Sequence, residues 1–136
     1  MTIKTKKIKI MSSKDLAPIL MDILKLENRV DQDKEHIWTI GLDVRNKIKY
    51  IELVSLGILS STVAHPREIF RTAILQAVAT IIVVHNHPSG DTTPSDIDDH
   101  LTNRLRRAGE ILGIDLLDHI IISDKDFFSY ADSGRF

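Results

Sequence analysis

An apolar run rich in β-branched side chains, residues 80–84, constrains the fold of this chain more than any other segment. Such a run is typical of a strand that is buried on both faces of a sheet, which requires covering layers on both sides. Pro88, Gly90 and Pro94 follow it and predict a tight irregular loop. Ser95 and the acidic residues behind it are typical of a helix start. The sequence therefore predicts a buried strand, a loop and a helix in succession.

Predicted helices and strands alternate along the rest of the chain. Helices are indicated by apolar residues at helical spacing, and strands by short apolar runs between turn residues. The predicted elements are a helix over 14–27 capped by Ser12 or Ser13, strands over 35–43 and 47–56, a helix from Pro66 to 79, the strand at 80–84, a helix from Ser95 to 112 stopped by Gly113, and strands over 114–123 and 127–130. Residues 3–10 are either an edge strand or a disordered arm. This order predicts an α/β (α+β) fold, in which helices flank a mixed sheet.

The two later helices each carry an apolar line that we expect to face the core. In the helix from Pro66, this line comprises Ile69, Phe70, Ala73, Ile74, Ala77 and Val78. In the helix from Ser95, it comprises Ile97, Leu101, Leu105, Ala108 and Ile111.

Composition excludes several classes of protein and of site. A length of 136 residues suits one domain with a single core. The chain has no cysteine, so a metal would have to be held by histidine and carboxylate side chains. The lysine-rich start lacks the apolar segment of a secretion signal, and the apolar runs are too short to span a bilayer, so we expect a cytoplasmic protein without a membrane partner. A net charge of -1 does not favour nucleic-acid binding.

Two histidines and an aspartate around the loop make a candidate zinc site. His85 and His87 stand two residues apart where the strand ends, so their side chains leave an extended backbone on the same side. Asp98, one turn into the following helix, can turn back toward them. Two neutral imidazoles and one carboxylate are a three-ligand set for Zn²⁺, and they leave the fourth tetrahedral position open, as in catalytic zinc sites. We therefore predict a catalytic metal site at these three residues.

Turn and cap chemistry offer a second interpretation of the same segment. Ser95 and Asp98 have the spacing of a capping box, in which each side chain binds a free amide at a helix start. Residues 88–91, Pro-Ser-Gly-Asp, are ordinary turn sequence. A single histidine at a strand end is also most often structural. Capping and packing do not explain two histidines at i and i+2, however, so the metal site is the favoured interpretation.

The spacing of these residues resembles that of a known family. His-x-His, seven residues, Ser, two residues and Asp resembles the JAMM motif of MPN+ metalloproteases. The string His-Asn-His-Pro-Ser-Gly at 85–90, preceded by His-Pro-Arg-Glu-Ile-Phe at 65–70 and followed by Asp-His-Ile at 118–120, resembles the RadC-like branch. The resemblance covers residues 33–134, nearly the whole chain after its first helix. It implies a cytidine-deaminase-like, MPN-type three-layer sandwich over residues 31–136, with residues 1–30 as a basic arm and helix packed on it.

The resemblance also implies an upstream catalytic glutamate at the start of a strand. Glu35 fits, because it precedes Leu42-Asp43 as a similar glutamate precedes a similar Leu-Asp pair in RadC-like sequences. Glu52, in the next predicted strand, is the alternative, and the residues alone do not decide between the two. The implied reaction is hydrolysis of a peptide or isopeptide bond by zinc-activated water. Glu35 would be the general base and acid, and Ser95 would donate its hydroxyl to the oxyanion.

Other polar residues have an open interpretation. His65 is either a site residue or a cap of the helix behind it. Asp118 and His119 recur in the RadC-like pattern, but adjacent strand residues point to opposite faces, so at most one of them faces the site. His36 and His100 are interpreted as surface residues.

Three functions are compatible with this sequence. The complete ligand set and Glu35 favour a zinc peptidase that acts on a peptide or protein. A non-catalytic MPN-type binding module predicts missing ligands, which this chain does not show. A DNA-repair-associated factor is suggested by the RadC name, and the basic patch of Arg104, Arg106 and Arg107 could meet phosphates, although a solvated helix face explains it better. Full-length RadC-like proteins carry an N-terminal helix-hairpin-helix region, which we do not expect in the short segment ahead of Glu35. The sequence carries no signal for an oligomeric state.

Overall fold

A computed structural model describes residues 2–3, 8–57 and 64–136 of the chain. Its strands are β1 (Thr2–Ile3), β2 (Glu35–Leu42), β3 (Ile48–Gly57), β4 (Thr80–Asn86), β5 (Asp115–Ile122) and β6 (Phe127–Ser129). Its helices are α1 (Ser13–Lys25), α2 (Arg29–Gln32), α3 (Pro66–Leu75), α4 (Asp96–Leu112) and α5 (Tyr130–Ser133). Each predicted helix and strand from residue 14 onward is confirmed within a few residues at its ends.

The strands form one mixed sheet in the order β1-β3-β2-β4-β5-β6. β4 and β5 are parallel, and the other neighbouring strands are antiparallel. β4 lies between β2 and β5, and residues 81–84 of β4 are at most 3% exposed. The β-branched run is therefore a central strand, because only there are both of its faces covered.

Helices cover the sheet on both sides, which confirms the predicted three-layer sandwich. On one face, Leu16, Leu20 and Leu24 of α1 pack against the strands. On the other face, α3 and α4 contribute Ile69, Phe70, Ala73, Leu101 and Leu105 to a second cluster. The candidate site lies on this second face, at the end of β4.

The N-terminal arm pairs with the sheet at the two places that are described. Residues 2–3 form β1 beside β3, and Lys9 forms an isolated antiparallel bridge with Lys47. The edge-strand alternative therefore holds at both ends of the arm. Residues 4–7, in the middle of the arm, lie outside the described residues.

The predicted inner face of α3 is wrong at two positions. Ile74 is 55% exposed and Ala77 is exposed, whereas Ile69, Phe70, Ala73 and Val78 are buried as expected. Ile74 lies inside the helix but off the face that Ile69, Phe70 and Ala73 turn to the core, and Ala77 lies beyond it, because α3 ends at Leu75, four residues earlier than predicted. Ala77 then takes a positive φ of 51°, which breaks the helical path before β4.

The predicted inner face of α4 is also wrong at its two ends. Ile97 is 61% exposed and Ile111 is 86% exposed, while the buried line runs through Asp98, Leu101, Thr102, Leu105 and Gly109. Gly109 allows the helix to approach the sheet, because a Cβ built on it would lie 2.5 Å from the Ile114 carbonyl oxygen. The sheet therefore selects a helix face that includes polar residues and one glycine, which an apolar pattern does not reveal.

Candidate metal site

Three side chains converge at the end of β4. His85 lies in β4, His87 follows the strand directly, and Asp98 is the third residue of α4. The Nε2 atoms of His85 and His87 are 3.1 Å apart, and each lies 3.0 Å from one carboxylate oxygen of Asp98. The side chains of His85 and Asp98 are 1% and 2% exposed, and that of His87 is 15% exposed. The cluster is thus closed on the core side and open at His87.

The loop sets the tautomer of His87. Its Nδ1 atom lies 2.8 Å from the carbonyl oxygen of Asp91, which can only accept a hydrogen bond. Nδ1 must therefore carry the proton, and the Nε2 atom of a neutral His87 presents a lone pair to the cluster.

A longer chain of hydrogen bonds sets the tautomer of His85. The Thr102 hydroxyl donates to the Asp98 carbonyl oxygen at 2.8 Å, so it accepts from Nδ1 of His119 at 2.6 Å. The Nε2 atom of His119 then has a lone pair, which accepts from Nδ1 of His85 at 2.7 Å. His119 is fully buried, and its pKa lies well below the ordinary value, chiefly because of burial and secondly because of the charge of His85. His119 is therefore neutral, as this series of hydrogen bonds requires. His85 consequently also presents its Nε2 lone pair to the cluster.

The cap of α4 orients Asp98. The Ser95 amide donates to Oδ2 of Asp98 at 2.8 Å, and the Asp98 amide donates to the Ser95 hydroxyl at 3.1 Å. Burial opposes ionisation of Asp98, but contact with the imidazoles of His85 and His87, which stabilise the carboxylate when they carry a proton on Nε2, outweighs it and holds the pKa of Asp98 well below its usual value. The capping box and the candidate ligand are therefore the same arrangement, because one oxygen of the carboxylate can serve both.

The donor set fits a metal ion. Two imidazole lone pairs and a carboxylate within 3.1 Å of one another repel unless a cation lies between them. In the absence of a metal, a proton takes this role: the hydrogen bond with Asp98 raises the pKa of His87. Donor atoms around tetrahedral zinc, at about 2.0–2.1 Å from the ion, are about 3.3 Å apart, close to the spacing observed. His85, His87 and Asp98 together could hold a metal ion.

Glu35 lies beside this cluster. Ile37 pairs with His85 at the end of the register between β2 and β4, and Glu35 lies two residues before Ile37, on the same face of β2. After the larger effect of Asp98, the charge of Glu35 is among the contributions that raise the pKa of His87. Asp33, Lys34, Glu35 and Gly57 line a surface cleft of about 480 Å³.

The alternative glutamate is engaged elsewhere. The Glu52 carboxylate accepts a hydrogen bond from the Thr72 hydroxyl of α3 at 2.7 Å. Glu52 pairs with Thr39, which is four residues along β2 from Glu35. Of the two candidate bases, the geometry therefore favours Glu35.

The structure resolves the open interpretations of the remaining polar residues. His119 faces the cluster, whereas Asp118 accepts from the Ser129 hydroxyl at 2.6 Å and from the Ala131 amide at 3.0 Å, so only one of the pair reaches the site, as predicted. His65 is a cap of α3, because its Nδ1 accepts from the Arg67 amide at 3.1 Å.

The two predicted surface histidines differ. His100 is exposed as expected, but His36 is 0% exposed and stacks on Trp38 at 4.9 Å, so its prediction is wrong. The reason is the position of β2 inside the sheet, where both faces of the strand are covered. In the basic patch, Arg106 lies over the Phe136 ring at 4.7 Å, and Arg107 is exposed.

The sequence interpretation missed the role of three residues around the site. Thr102 stands one turn after Asp98, a spacing at which a threonine hydroxyl reaches the carbonyl four residues back, and this signal was available. Tyr130 stacks on His119 at 4.9 Å, a contact that depends on the path of the C-terminal segment. Asn86 stands between the two histidines and binds the start of β2.

A mixed sheet between helical layers, with a His-x-His and Asp cluster at the end of a central strand, defines a domain of the JAB/MPN class. The family model described as RadC-like JAB domain matches residues 10–135. The chain belongs to this RadC-like JAB domain family.

Proteins named UPF0758 protein are similar to this chain. The relative from Desulforamulus reducens is 50% identical over 111 residues, which are 82% of this chain and 49% of that protein. The relative from Methanosarcina acetivorans is 44% identical over 126 residues, or 93% of this chain and 53% of that protein. The chain thus spans about half the length of the curated relatives it matches. In the part of the chain that the structure describes, no helix is long and apolar enough to cross a membrane.

Proposed function

We propose that this domain is a zinc-dependent hydrolase that cleaves a peptide or isopeptide bond. The observation that carries the proposal is the convergence of two imidazole lone pairs and a carboxylate at about 3 Å, with both tautomers set by hydrogen bonds and Glu35 on the same face. A helix cap alone does not account for His85, which is held by His119 and presents Nε2 to Asp98 and His87.

His85, His87 and Asp98 would hold the ion, and their chemistry suits zinc. Two neutral imidazoles and one carboxylate are borderline-to-hard donors, and three protein ligands leave a fourth position for solvent or substrate. When bound, Zn²⁺ lowers the pKa of a water to about 7 and polarises a scissile carbonyl.

Glu35 would handle the proton. Its place near His87, beside an open cleft, would allow its carboxylate to take a proton from the attacking water and to deliver it to the leaving amine. Ser95 would stabilise the oxyanion, because its oxygen accepts from the Asp98 amide and its hydroxyl proton remains available for a hydrogen bond to substrate.

A screen of peptide libraries and lysine-linked conjugates with zinc-loaded protein tests this function. We expect hydrolysis that a chelator abolishes and that zinc restores. Glu35→Gln should retain the metal and lose hydrolysis by at least about a hundredfold, as removal of a general base typically does. Glu110→Gln, an exposed site on α4, is the charge-matched control and should behave like the wild type.

Two results would contradict the proposal. One is hydrolysis that persists without metal, and the other is a zinc-loaded wild type that cleaves none of these substrates. If Glu52→Gln rather than Glu35→Gln removed hydrolysis, Glu52 would be the base. A salt-dependent shift of labelled DNA by a protein that does not hydrolyse any substrate would favour the DNA-associated alternative.

A further inference from the structure

Asn86, between the two histidines, binds the start of β2 with both the oxygen and the nitrogen of its side-chain amide. It is 1% exposed. Its Oδ1 atom accepts from the His36 amide at 2.5 Å, and its Nδ2 group donates to the Lys34 carbonyl at 3.0 Å. These two backbone groups belong to the residues on either side of Glu35. The Asn86 side chain, fifty residues later in the sequence, therefore bridges the backbone groups that flank Glu35.

The backbone of β4 does not make this connection itself. The last pair in the register between β2 and β4 is Ile37 with His85. Beyond that pair, the His87 amide donates to the Ile122 carbonyl of β5 at 2.9 Å. The backbone of β4 thus stays paired with β5 beyond His85, while the contact with the start of β2 is made by the Asn86 side chain.

We propose that Asn86 is the positioning residue that holds Glu35 beside the metal site, an inference that rests on the proposed function. Glu35 is the first residue of β2, and the ends of strands unfold locally at low cost unless other groups bind them. A general base must stay within hydrogen-bond reach of the proton it takes. The tripeptide 85–87 therefore delivers two metal ligands and, through its middle residue, also sets the place of the base.

Amide hydrogen exchange of the metal-free protein tests the contact directly. In Asn86→Ala, the His36 amide loses its acceptor and should exchange at least about tenfold faster relative to the Ile82 amide of the core. Asn86→Ser, whose side chain is too short to span both groups, is the second variant and should show the same change if Asn86→Ala does not fold. Asn103→Ala, at an exposed site on α4, is the control. Unchanged exchange at His36 would overturn the inference.

A double-mutant cycle on the Co²⁺-loaded protein tests whether Asn86 acts through Glu35. The measured quantity is the pH midpoint of the visible Co²⁺ absorption in the wild type, Glu35→Gln, Asn86→Ser and the double variant. We expect both single variants to shift the midpoint in the same direction, and the double variant to shift no further than Glu35→Gln. Additive shifts would show that Asn86 acts on the metal ligands instead, and would overturn the inference.

The two measurements separate this inference from the proposed function. A wild type that binds neither Co²⁺ nor Zn²⁺ would overturn the metal site and its chemistry. The exchange at His36 does not depend on metal, so it would still show whether Asn86 holds the strand end that carries Glu35.

Discussion

The imidazole of His119 connects the candidate site to the core of the molecule. It accepts from His85, donates to Thr102 and stacks on Tyr130 with only 7° between the ring planes. Groups that orient metal-binding histidines in this way are usually carboxylates or carbonyls. Here a neutral imidazole orients the candidate ligand His85, because Nδ1 of His119 donates to the Thr102 hydroxyl and leaves its Nε2 as the acceptor.

We expect His119→Ala to lower zinc affinity by about 10- to 100-fold, as the loss of such orienting groups does in other metal sites. The His85 ring would lose the partner that holds its proton on Nδ1. Competition with a chromophoric chelator measures the affinity, and circular dichroism checks folding. His100→Ala, on the exposed side of α4, is the control. Equal affinity in His119→Ala and the wild type would contradict this role.

The stability of the metal-free protein should depend on the proton shared by His87 and Asp98. The hydrogen bond with Asp98 raises the pKa of His87, so this pair contributes stability that is complete below the unfolded pKa of about 6.5 and is lost as the pH rises through the folded value. The difference in unfolding free energy between the wild type and His87→Gln should therefore shrink above about pH 6.5. Urea unfolding across this range measures it.

His119 provides a contrast of opposite sign. Burial lowers the pKa of His119, so its contribution to the unfolding free energy is lost as the pH falls below about 6.5, where only the unfolded chain takes up the proton.

One result would contradict the prediction for His87. If the unfolding free energies of the wild type and His87→Gln differed by the same amount at every pH, His87 and Asp98 would not share a proton.

At the scale of elements, β4, its loop and α4 supply all three candidate ligands. Asp98 reaches the two histidines only if α4 lies at the right distance from the sheet. Gly109 sets that distance, because its backbone approaches the Ile114 carbonyl. The same helix carries Asp98 and Thr102, so a shift of α4 moves a candidate ligand and one end of the hydrogen-bond chain together.

Gly109→Ala tests this close approach. In a helix without the contact, the change would stabilise by about 1 kcal/mol through helix propensity. Here the added methyl meets a backbone oxygen, and we expect destabilisation by about 1–3 kcal/mol together with weaker zinc binding. Urea unfolding and zinc titration measure the two effects. A more stable protein would show that the helix tolerates the methyl group and that the approach is not required.

At the scale of the whole molecule, the site joins two parts of the chain about fifty residues apart. Glu35 comes from β2, and the candidate ligands come from β4, the loop after it and α4. A ligand that binds only when these elements are in place stabilises the whole fold, by about 2.7 kcal/mol when its concentration is a hundred times the dissociation constant.

We expect one zinc ion per chain and a rise in the melting temperature on adding zinc. A chelator should reverse the rise, and His87→Ala should abolish both the bound zinc and the rise. Elemental analysis after purification without chelator and thermal unfolding with and without zinc measure these effects. A metal-free wild type from zinc-containing medium, with no thermal shift on adding zinc, would contradict the metal site.

Much of the local structure could be predicted, because its signals lie close together in the chain. The buried strand follows from residues 80–84, the loop from its prolines and glycine, and the caps of α4 from Ser95 and Gly113, which takes the expected left-handed conformation. The candidate ligands could be predicted for the same reason, since strand alternation and one helical turn relate them. The exposure of Ile74, Ile97 and Ile111 could not, because it depends on where each helix ends and which face meets the sheet.

The sequence by itself determined the strand, loop and helix unit and the chemical character of its donors, since these depend on neighbours along the chain. Only the tertiary structure decided the rest. The pairing of β2 with β4 brings the start of β2, where Glu35 lies, toward the donors and buries His36. The packing of β5 and α4 against β4 gives His119 its partners. Register and helix approach are set by packing between segments that are distant in sequence, and an adjacent-residue pattern carries no record of that packing.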